Sequence, residues 1–353
     1  MKTRIKKTYI CKQVDKWALQ TNIPTQYKPQ VGDVGVFEVL HIGKHHSVQS
    51  DSKRNVTIVE GDQIMAAFGT RYATAQFEGY VPENVSGELH ILGAGGTIGE
   101  IKSMHYKYKD IGPTKLRLIG LAVDWNGSVI NTKKMKEKEM VKFTGAAASA
   151  TKVILSLGSS MDSGKTTSAA YLVHGLKKAG MNVSYIKLTG TVYTKDSDLA
   201  YDLGADMVVD FGDYGFPSTY MCNEEELLSL YESLLRKVLS TQPDYVIMEI
   251  ADGLYERETK MLLTNKKFTS TIDGVIFSAG DSLAAINGVH ILNKWGIYPA
   301  AVSGLLTASP LLIKEVQENI NLPVLTIEEL AHGNKIQNLF LKSRLLQRIR
   351  KVI

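Results

Sequence analysis

The sequence has little cysteine and no long uncharged apolar run. Its 353 residues include 2 cysteines, Cys11 and Cys222, which are too few and too far apart for a disulfide framework or a cysteine metal site. The longest apolar stretches, such as Gly274 to Gly280, have the length of a strand and fall well short of the roughly 20 residues that span a bilayer. The basic segment Met1 to Lys7 is not followed by the apolar segment of a secretory signal. We therefore expect a cytoplasmic protein without a membrane span.

Charge of one sign does not dominate the chain. The 41 Lys and Arg residues exceed the 36 Asp and Glu residues by 5, a balance that does not by itself indicate nucleic-acid binding. From residue 331 onward acidic residues are absent, while basic residues and leucines recur at near-helical spacing. We expect a basic amphipathic helix over 331–353. Its apolar face is expected to pack on the N-terminal domain or on a second subunit, although binding to anionic lipid or nucleic acid is the alternative.

Short segments rich in β-branched residues and broken by glycine predict a β-rich domain over residues 1–130. Those segments are Val34–Leu40, Asn55–Val59, Ala75–Val81, Glu88–Leu92 and Lys115–Val123. Their spacing, with few stretches of helical periodicity, indicates an antiparallel sandwich or a small barrel. Residues 131–150 are predicted to be a charged linker, because lysines and glutamates precede a run of small residues there.

Residues 151–330 alternate between apolar strand-like segments and segments of helical length. The predicted strands are Lys152–Leu157, Val183–Leu188, Met207–Phe211, Tyr245–Ile250, Val275–Ser278, Ala300–Leu305 and Pro323–Ile327. The predicted helices are Thr167–Ala179, Asp198–Leu203, Glu224–Leu239, Ser282–Trp295 and Pro310–Asn319. Such alternation indicates a doubly wound α/β fold, with a parallel sheet covered by helices on both faces.

A glycine-rich loop joins the first of these strands to the first helix. Its residues are Gly158, Ser159, Ser160, Met161, Asp162, Ser163, Gly164, Lys165, Thr166 and Thr167. Backbone N–H groups of such a loop and of the next helical turn point at one anion site. Lys165 can reach β- and γ-phosphate oxygens, and the Thr166 hydroxyl suits a Mg²⁺ ligand. The pattern predicts a P-loop that binds a nucleoside triphosphate.

Two further strand ends carry charged residues that are expensive to bury alone. Glu249 ends an otherwise apolar strand, and Lys187 ends another. The carboxyl ends of parallel strands line the ligand crevice of a doubly wound sheet, so we expect both side chains beside the P-loop. Asp196 and Asp198 follow Lys187 and have two interpretations, as metal or substrate ligands or as helix N-caps on the surface.

Five residues separate Gly158 from Gly164, one more than in the standard pattern. With the segments that follow, this spacing resembles the dethiobiotin synthetase group of P-loop proteins, and more loosely the molybdopterin-guanine dinucleotide biosynthesis protein B group and the SIMIBI class. "AGMNVSYIKLTGT" resembles that class's second strand, which ends in a lysine near the phosphates, here Lys187. "KDSDLAYDLGA" resembles the segment that supplies a metal carboxylate, and "DYVIMEIADGL" resembles the strand with the metal-side glutamate, here Glu249. The resemblance covers residues 151–327.

This resemblance implies a Mg²⁺- and ATP-dependent enzyme. Its γ-phosphate would phosphorylate or activate a small carboxylate, amine or carbamate, and the chain would act as a homodimer. Lys165 and Lys187 would stabilise the transferring phosphoryl group, and Thr166, Glu249, Asp196 and Asp198 are the candidate metal ligands. The sequence has no Asn-Lys-x-Asp guanine motif, which favours ATP over GTP. The alternative is a nucleotide-dependent switch that controls binding of a protein or nucleic-acid partner.

Other motifs are weaker. Gly93 to Gly99 lacks the amphipathic helix that a dinucleotide fingerprint requires, so we expect a glycine-rich β-turn or bulge. The histidines 41, 45 and 46 have no cysteine or paired acid at metal spacing. Phe68 to Tyr80 is predicted to be a hairpin with an exposed Arg71, and anion binding by Arg71 is the alternative. Phe211 to Tyr220 is either a turn or part of an acceptor pocket.

Overall fold

The computed structural model describes residues 4–24, 26–333 and 336–340 of the chain. Within them the chain forms two compact units. The first contains the residues up to Met140 together with Gly190–Thr194 and Phe211–Met221. The second contains Val141–Thr189, Lys195–Asp210 and the described residues from Cys222 onward. None of the helices in the described part combines the length and the apolar composition that crossing a bilayer requires.

The first unit is built mainly of short strands. In the described residues they are Ile5–Lys7 (β1), Ala18–Gln20 (β2), Val34–His41 (β3), Ser47–Gln49 (β4), Asn55–Thr57 (β5), Gln63–Phe68 (β6), Arg71–Tyr72 (β7), Phe77–Tyr80 (β8), Leu89–Gly93 (β9), Thr97–Met104 (β10) and Lys115–Val123 (β11). Its α-helix is Thr132–Lys136 (α1), and its 3₁₀ helices are Tyr9–Cys11, Tyr106–Tyr108, Glu137–Glu139 and Phe211–Tyr214. The prediction of a β-rich N-terminal domain is confirmed.

Five of these strands close into a barrel. The hydrogen-bonded order is β6–β3–β11–β9–β10, and β10 then pairs with β6. The closing β10–β6 pair is parallel, whereas the other four pairs are antiparallel. Apolar side chains from these strands fill the interior, among them Phe37 and Phe68, whose rings meet edge to face at 5.3 Å. Of the two architectures predicted, the barrel is therefore the one that forms.

The glycine-rich stretch beginning at Gly93 is a turn between β9 and β10, as predicted. Gly96 has a φ of 104°, and the register between the two strands shifts between Thr97 and Ile98. The turn leads directly into strand β10, which begins at Thr97, rather than into a helix. The stretch therefore lacks the strand–loop–helix context of a dinucleotide-binding site.

The second unit is a parallel sheet with helices. Its strands are Lys152–Gly158 (β12), Val183–Lys187 (β13), Met207–Asp210 (β14), Tyr245–Glu249 (β15), Gly274–Ser278 (β16) and Ala301–Ser303 (β17). Its α-helices in the described residues are Lys165–Lys178 (α2), Lys195–Asp202 (α3), Glu224–Val238 (α4), Arg257–Thr264 (α5), Lys266–Thr269 (α6), Ser282–Lys294 (α7), Pro310–Asn319 (α8) and Ile327–Leu330 (α9). Its 3₁₀ helices are Ala147–Ala150, Leu239–Thr241 and Leu305–Ala308.

The strand order β14–β13–β15–β12–β16–β17 places the P-loop strand inside the sheet, and every pair is parallel. The chain winds from β12 first toward β13 and later toward β16, so the order reverses next to β12. Ligand crevices of open α/β sheets form at such a reversal, outside the carboxyl ends of the strands. The predicted doubly wound α/β fold is confirmed.

One prediction for the end of this unit is wrong. Pro323–Ile327 is not a strand: Val324 forms a single bridge with Val302, and the chain then enters α9. The described residues 336–340 are helical, and Ile336 and Phe340 are buried in the core of the second unit itself. Residues 334, 335 and 341–353 of the predicted basic helix lie outside the described residues, so the packing of its apolar face stays a prediction.

Candidate functional site

The P-loop has the strand–loop–helix context that its sequence predicts. Strand β12 ends at Gly158 and helix α2 begins at Lys165. The loop between them turns through two left-handed residues, Asp162 with a φ of 59° and Gly164 with a φ of 94°. Gly164 occupies the N-cap position, where a side chain would be strained by this φ, and its Cβ would lie 2.9 Å from the backbone nitrogen of Leu305.

The loop is fixed by backbone groups at the ends of other strands. Ser159 N–H donates to the carbonyl of Ser278 at 2.9 Å, and Leu305 N–H donates to the carbonyl of Ser163 at 3.0 Å. Gly253, four residues after β15, approaches so closely that a Cβ there would lie 2.6 Å from the Ser159 carbonyl oxygen. The loop is therefore held in one conformation by the edge of the sheet.

The inner groups of the loop remain available to a ligand. In the described part of the chain, no backbone carbonyl accepts from the N–H groups of residues 160–167. The Ser163 hydroxyl is buried and has no hydrogen-bond partner among the described residues. Buried polar groups normally have a partner. A row of N–H groups at the start of α2, next to such a hydroxyl, is a cradle for an oxyanion.

Lys165 is folded back onto this loop. The residue is only 6% exposed, and its ammonium group donates to the carbonyls of Ser160 at 2.7 Å and Asp252 at 2.6 Å. Burial lowers the pKa of Lys165, and the nearby carboxylate of Glu249 opposes this effect. The Lys165 ammonium group is thus hydrogen-bonded to two neutral oxygens, one in the P-loop and one in the segment that follows β15.

Glu249 is the centre of a buried network at the end of β15. Its side chain is 1% exposed. One carboxylate oxygen, Oε1, accepts from the Thr166 hydroxyl at 3.0 Å and from Lys187 Nζ at 2.5 Å. The other, Oε2, accepts from the Tyr185 hydroxyl at 2.6 Å. The strand register brings the side chains of Lys187 and Glu249 together, because the two residues lie opposite each other in the parallel β13–β15 pair.

Lys187 joins two carboxylates. Its Nζ lies 2.7 Å from Asp196 Oδ2 in the first turn of α3, in addition to its contact with Glu249. Burial alone would lower the pKa of Lys187, but Asp196 and Glu249 outweigh burial and raise it. Burial alone would raise the pKa of Asp196, but Lys187 outweighs it and the pKa is lowered. The pair is therefore charged at neutral pH.

The structure brings together most of the candidate residues. Thr166, Lys187 and Glu249 are in direct contact, and Asp196 reaches them through Lys187. Asp198 is also in the first turn of α3, so neither aspartate is an N-cap of that helix. Two residues along an α-helix are about 200° apart, which places Asp198 on a different face from Asp196.

Tyr185 is the member of the network that the sequence reasoning missed. It is fully buried, and burial, followed by the neighbouring carboxylates, raises its pKa, so its hydroxyl stays a donor to Glu249. The available signal was strand periodicity. Tyr185 precedes Lys187 by two residues in β13, and alternate residues of a strand share one face of the sheet.

The oxygen donors fit a cation shared with phosphates better than one held by protein alone. In the described residues no group of three or more His, Cys, Asp or Glu side chains could hold a metal ion, and this includes the histidines near His45. Thr166 Oγ1 and the carboxylates of Glu249 and Asp196 are the hard oxygen ligands that Mg²⁺ prefers. Mg²⁺ commonly takes one or two carboxylates and completes its shell with water and substrate phosphates.

Phe211–Tyr220 belongs to the first unit. Phe211–Tyr214 forms a 3₁₀ helix, and the following residues continue without a helix or strand of their own. Thr97 Oγ1 donates to the Pro217 carbonyl at 2.9 Å, and Thr70 Oγ1 donates to the Tyr220 carbonyl at 2.7 Å. A part in an acceptor pocket stays a prediction.

Comparison with known proteins gives structural likeness only. No family model matches the sequence. No curated protein matches it either. A DUF1611 family protein from Anabaena variabilis is similar at 12% identity and a TM-score of 0.40, covering 57% of this chain and 61% of that one. The signal recognition particle receptor FtsY from Elizabethkingia anophelis is similar at 17% identity and a TM-score of 0.34, covering 54% of this chain and 65% of that one.

A third similar structure is the hydrogenase maturation factor HypB from Archaeoglobus fulgidus, at 11% identity and a TM-score of 0.36, covering 59% of this chain and 98% of that one. This chain spans less than two thirds of the length of the first two structures. Likeness at this level does not assign a family. The P-loop and the α/β sheet are established by the chain's own strand order and loop geometry.

Proposed function

We propose that this chain is a Mg²⁺-dependent nucleoside triphosphatase that uses the γ-phosphate to phosphorylate or activate a small carboxylate, amine or carbamate. The observation that carries the proposal is the P-loop itself. Its N–H groups 160–167 have no backbone acceptor in the described residues, and the buried Ser163 hydroxyl is unpartnered beside them. Lys165 enters the same loop from the first turn of α2.

Lys165 would bind the β- and γ-phosphate oxygens. In the structure its ammonium group contacts two neutral carbonyls, and a charged phosphate oxygen is a stronger acceptor than either of them. The bound nucleotide would accept the N–H groups of the loop and the first turn of α2. Phosphoryl transfer depends mainly on such positioning and charge stabilisation.

The metal would be held by the Thr166 hydroxyl, with Glu249 next to it and Asp196 completing the shell. Mg²⁺ would supply neutralisation of the phosphate charge. Lys187 keeps the two carboxylates together and carries a positive charge at the same sheet edge. A charge there would stabilise a phosphoryl group during transfer.

The test is Mg²⁺-dependent hydrolysis of ATP and of GTP, measured with a library of small carboxylates and amines. Lys165→Ala should abolish tight nucleotide binding. Lys178→Ala is the matched control, because Lys178 is an exposed lysine at the other end of the same helix. Release of nucleoside diphosphate that requires one class of acceptor supports the proposal. Equal nucleotide binding by Lys165→Ala and the unaltered chain refutes it.

A nucleotide-dependent switch is the second candidate, and the path of the chain favours it. Two residues separate the strand that ends in Lys187 from Gly190–Thr194, and the strand that ends in Asp210 leads directly into Phe211–Met221; both of these segments belong to the first unit. A backbone change at either strand end would therefore pass along the chain into that unit. A switch predicts slow hydrolysis that no metabolite changes and that a protein or nucleic-acid partner accelerates. Homodimerisation, expected in either case, is measured by light scattering with and without nucleotide.

A further inference from the structure

The first unit contains a cluster of basic side chains that the proposed function does not use. Lys44 lies between β3 and β4, and its ammonium group donates to Gln76 Oε1 and lies 3.2 Å from His45 Nε2. Arg71, in β7, donates from Nη2 to the same Gln76 oxygen at 2.7 Å. Two cationic side chains therefore converge on a single neutral amide oxygen.

Among the described residues, the side chains that contact the Lys44 ammonium group are neutral. Burial, followed by the charge of Lys44, lowers the pKa of His45, so its ring is neutral and accepts from the ammonium group. In the described residues Lys44 forms no ion pair with a carboxylate. Burial, with repulsion from Arg71 and Lys107, lowers the pKa of Lys44 to about 7. Burial and the neighbouring positive charges thus disfavour the protonated form of Lys44.

Aromatic rings form one side of this cluster. Lys44 Nζ lies 5.4 Å from the centre of the Phe77 ring and 5.5 Å from the centre of the Tyr108 ring. The two rings contact each other at 5.7 Å. Phe77 is buried, whereas Lys44 and Tyr108 are only half-buried, so the ammonium group lies at the border of the core and within reach of a solute.

A second basic region of the same unit is different, because its lysines are paired with acids. A cavity of about 270 Å³ is lined by Arg4, Lys6, Lys7, Asp51 and Arg54, among others. Lys6 pairs with Asp62, and Lys7 lies 3.1 Å from Asp15 and 3.9 Å from Asp51. Lys6 and Lys7 are thus paired with carboxylates of the protein, whereas Lys44 has no such pair in the described residues.

We propose that Lys44, Arg71 and Gln76 form a binding site for an oxyanion, namely the carboxylate or phosphate group of a small molecule. An anionic oxygen would replace the Gln76 amide oxygen as the acceptor for both cations, and charge-assisted hydrogen bonds are the stronger ones. The phenol and phenyl rings beside Lys44 would contact the apolar part of the ligand. The site lies wholly within the first unit and does not depend on nucleotide binding.

The site binds its anion through a protonated Lys44, so binding takes up a proton when Lys44 is partly neutral. We would titrate the full chain with inorganic phosphate and, separately, with acetate by calorimetry, in two buffers of different ionisation heat. For acetate, whose charge is the same across this range, affinity should be roughly ten-fold or more weaker at about pH 8.5 than at about pH 6, because the protonated fraction of Lys44 falls across a pKa of about 7.

Three variants make the test specific. Lys44→Met should lose this binding, and Lys109→Met, which removes an exposed lysine nearby, should keep it. Any phosphate bound at the P-loop is the same in the unaltered chain and the three variants, so it cancels in the difference. Gln76→Glu places a carboxylate in the site, so it should abolish anion binding while raising the melting temperature, which excludes misfolding as the cause.

The two titrants identify the source of the anion. Binding of phosphate alone, of acetate alone or of both, lost in Lys44→Met, supports the proposal and assigns the ligand to phosphate esters, to carboxylates or to either. No binding of either titrant by the unaltered chain overturns the proposal, and so does binding that Lys44→Met and Gln76→Glu leave unchanged.

Discussion

Lys187→Met tests whether the network at the end of β15 is held by charge. Methionine keeps most of the length and apolar volume of the lysine stem but removes the ammonium group. Glu249 would keep its hydrogen bonds from Thr166 and Tyr185 and would lose its cation. Because Glu249 is 1% exposed, water cannot replace that cation. The carboxylate would remain buried without a counter-charge.

The expected cost is large. Breaking a buried ion pair by removing one partner destabilises a protein by roughly 3–5 kcal/mol. The second partner, Asp196, is 34% exposed, so solvent compensates most of what it loses. The loss should therefore arise almost wholly from Glu249.

The assay is urea denaturation of four chains: the unaltered protein, Lys187→Met, Glu249→Gln and the double variant. Glu249→Gln removes the buried charge and leaves Lys187 paired with Asp196. The double variant contains neither charge. Its destabilisation should be smaller than the sum of the two single variants by about 1 kcal/mol or more, because residues in contact have interaction energies of about 0.5–3 kcal/mol. Additive effects, or a cost of Lys187→Met below about 1 kcal/mol, would refute the charge argument.

Three further changes have defined outcomes. Gly164→Ala should weaken nucleotide binding at least ten-fold in an equilibrium titration, whereas Gly180→Ala, which has a similar φ of 79° but open space around it, should not. Burial beside Glu258 raises the pKa of Glu256 to about 8. Protonated Glu256 therefore stabilises the fold at low pH, and this stabilisation is lost as the pH rises toward 8. In denaturation experiments, Glu256→Gln should become more stable relative to the unaltered chain as the pH is raised from about 5 to about 9. Phe340→Ala should cost about 3–5 kcal/mol in thermal or chemical unfolding, because this ring is buried in the core of the second unit.

The parts of the fold that depend on local signals could be predicted from the sequence. Pro310–Asn319 is a helix with the predicted bounds, because Ser309 caps it and proline suits its first position. Lys115–Val123 is likewise a strand with the predicted bounds. The closing of the barrel could not be predicted, because it depends on a parallel pairing between β6 and β10. Gln63–Phe68 itself lacks the alternation of a half-exposed strand, since five of its six residues are buried.

For the site, a simple rule of topology placed Lys187 and Glu249 together, because both residues end parallel strands. Asp196 lies close to this pair because α3 follows β13 after a short connection. The Lys44 cluster could not be foreseen, since Lys44 and Gln76 are distant in the sequence and each belongs to an ordinary turn. Arg71, expected to be exposed in a hairpin, is half-buried in one.

The composition of the first unit determines when that unit can be completed during synthesis of the chain. It includes Gly190–Thr194 and Phe211–Met221, and these segments are bonded within it, as when Gln49 Nε2 donates to Thr194 Oγ1 at 2.7 Å. A ribosome that has finished Met140 must add 221 − 140 = 81 more residues before the last of this unit exists, which takes roughly 4–16 s at about 5–20 residues per second. In that interval the P-loop strand, helix α2 and strand β13 are already synthesised. The first unit is therefore incomplete until much of the second has been synthesised, and a chain cut at Met140 would lack two segments of the first.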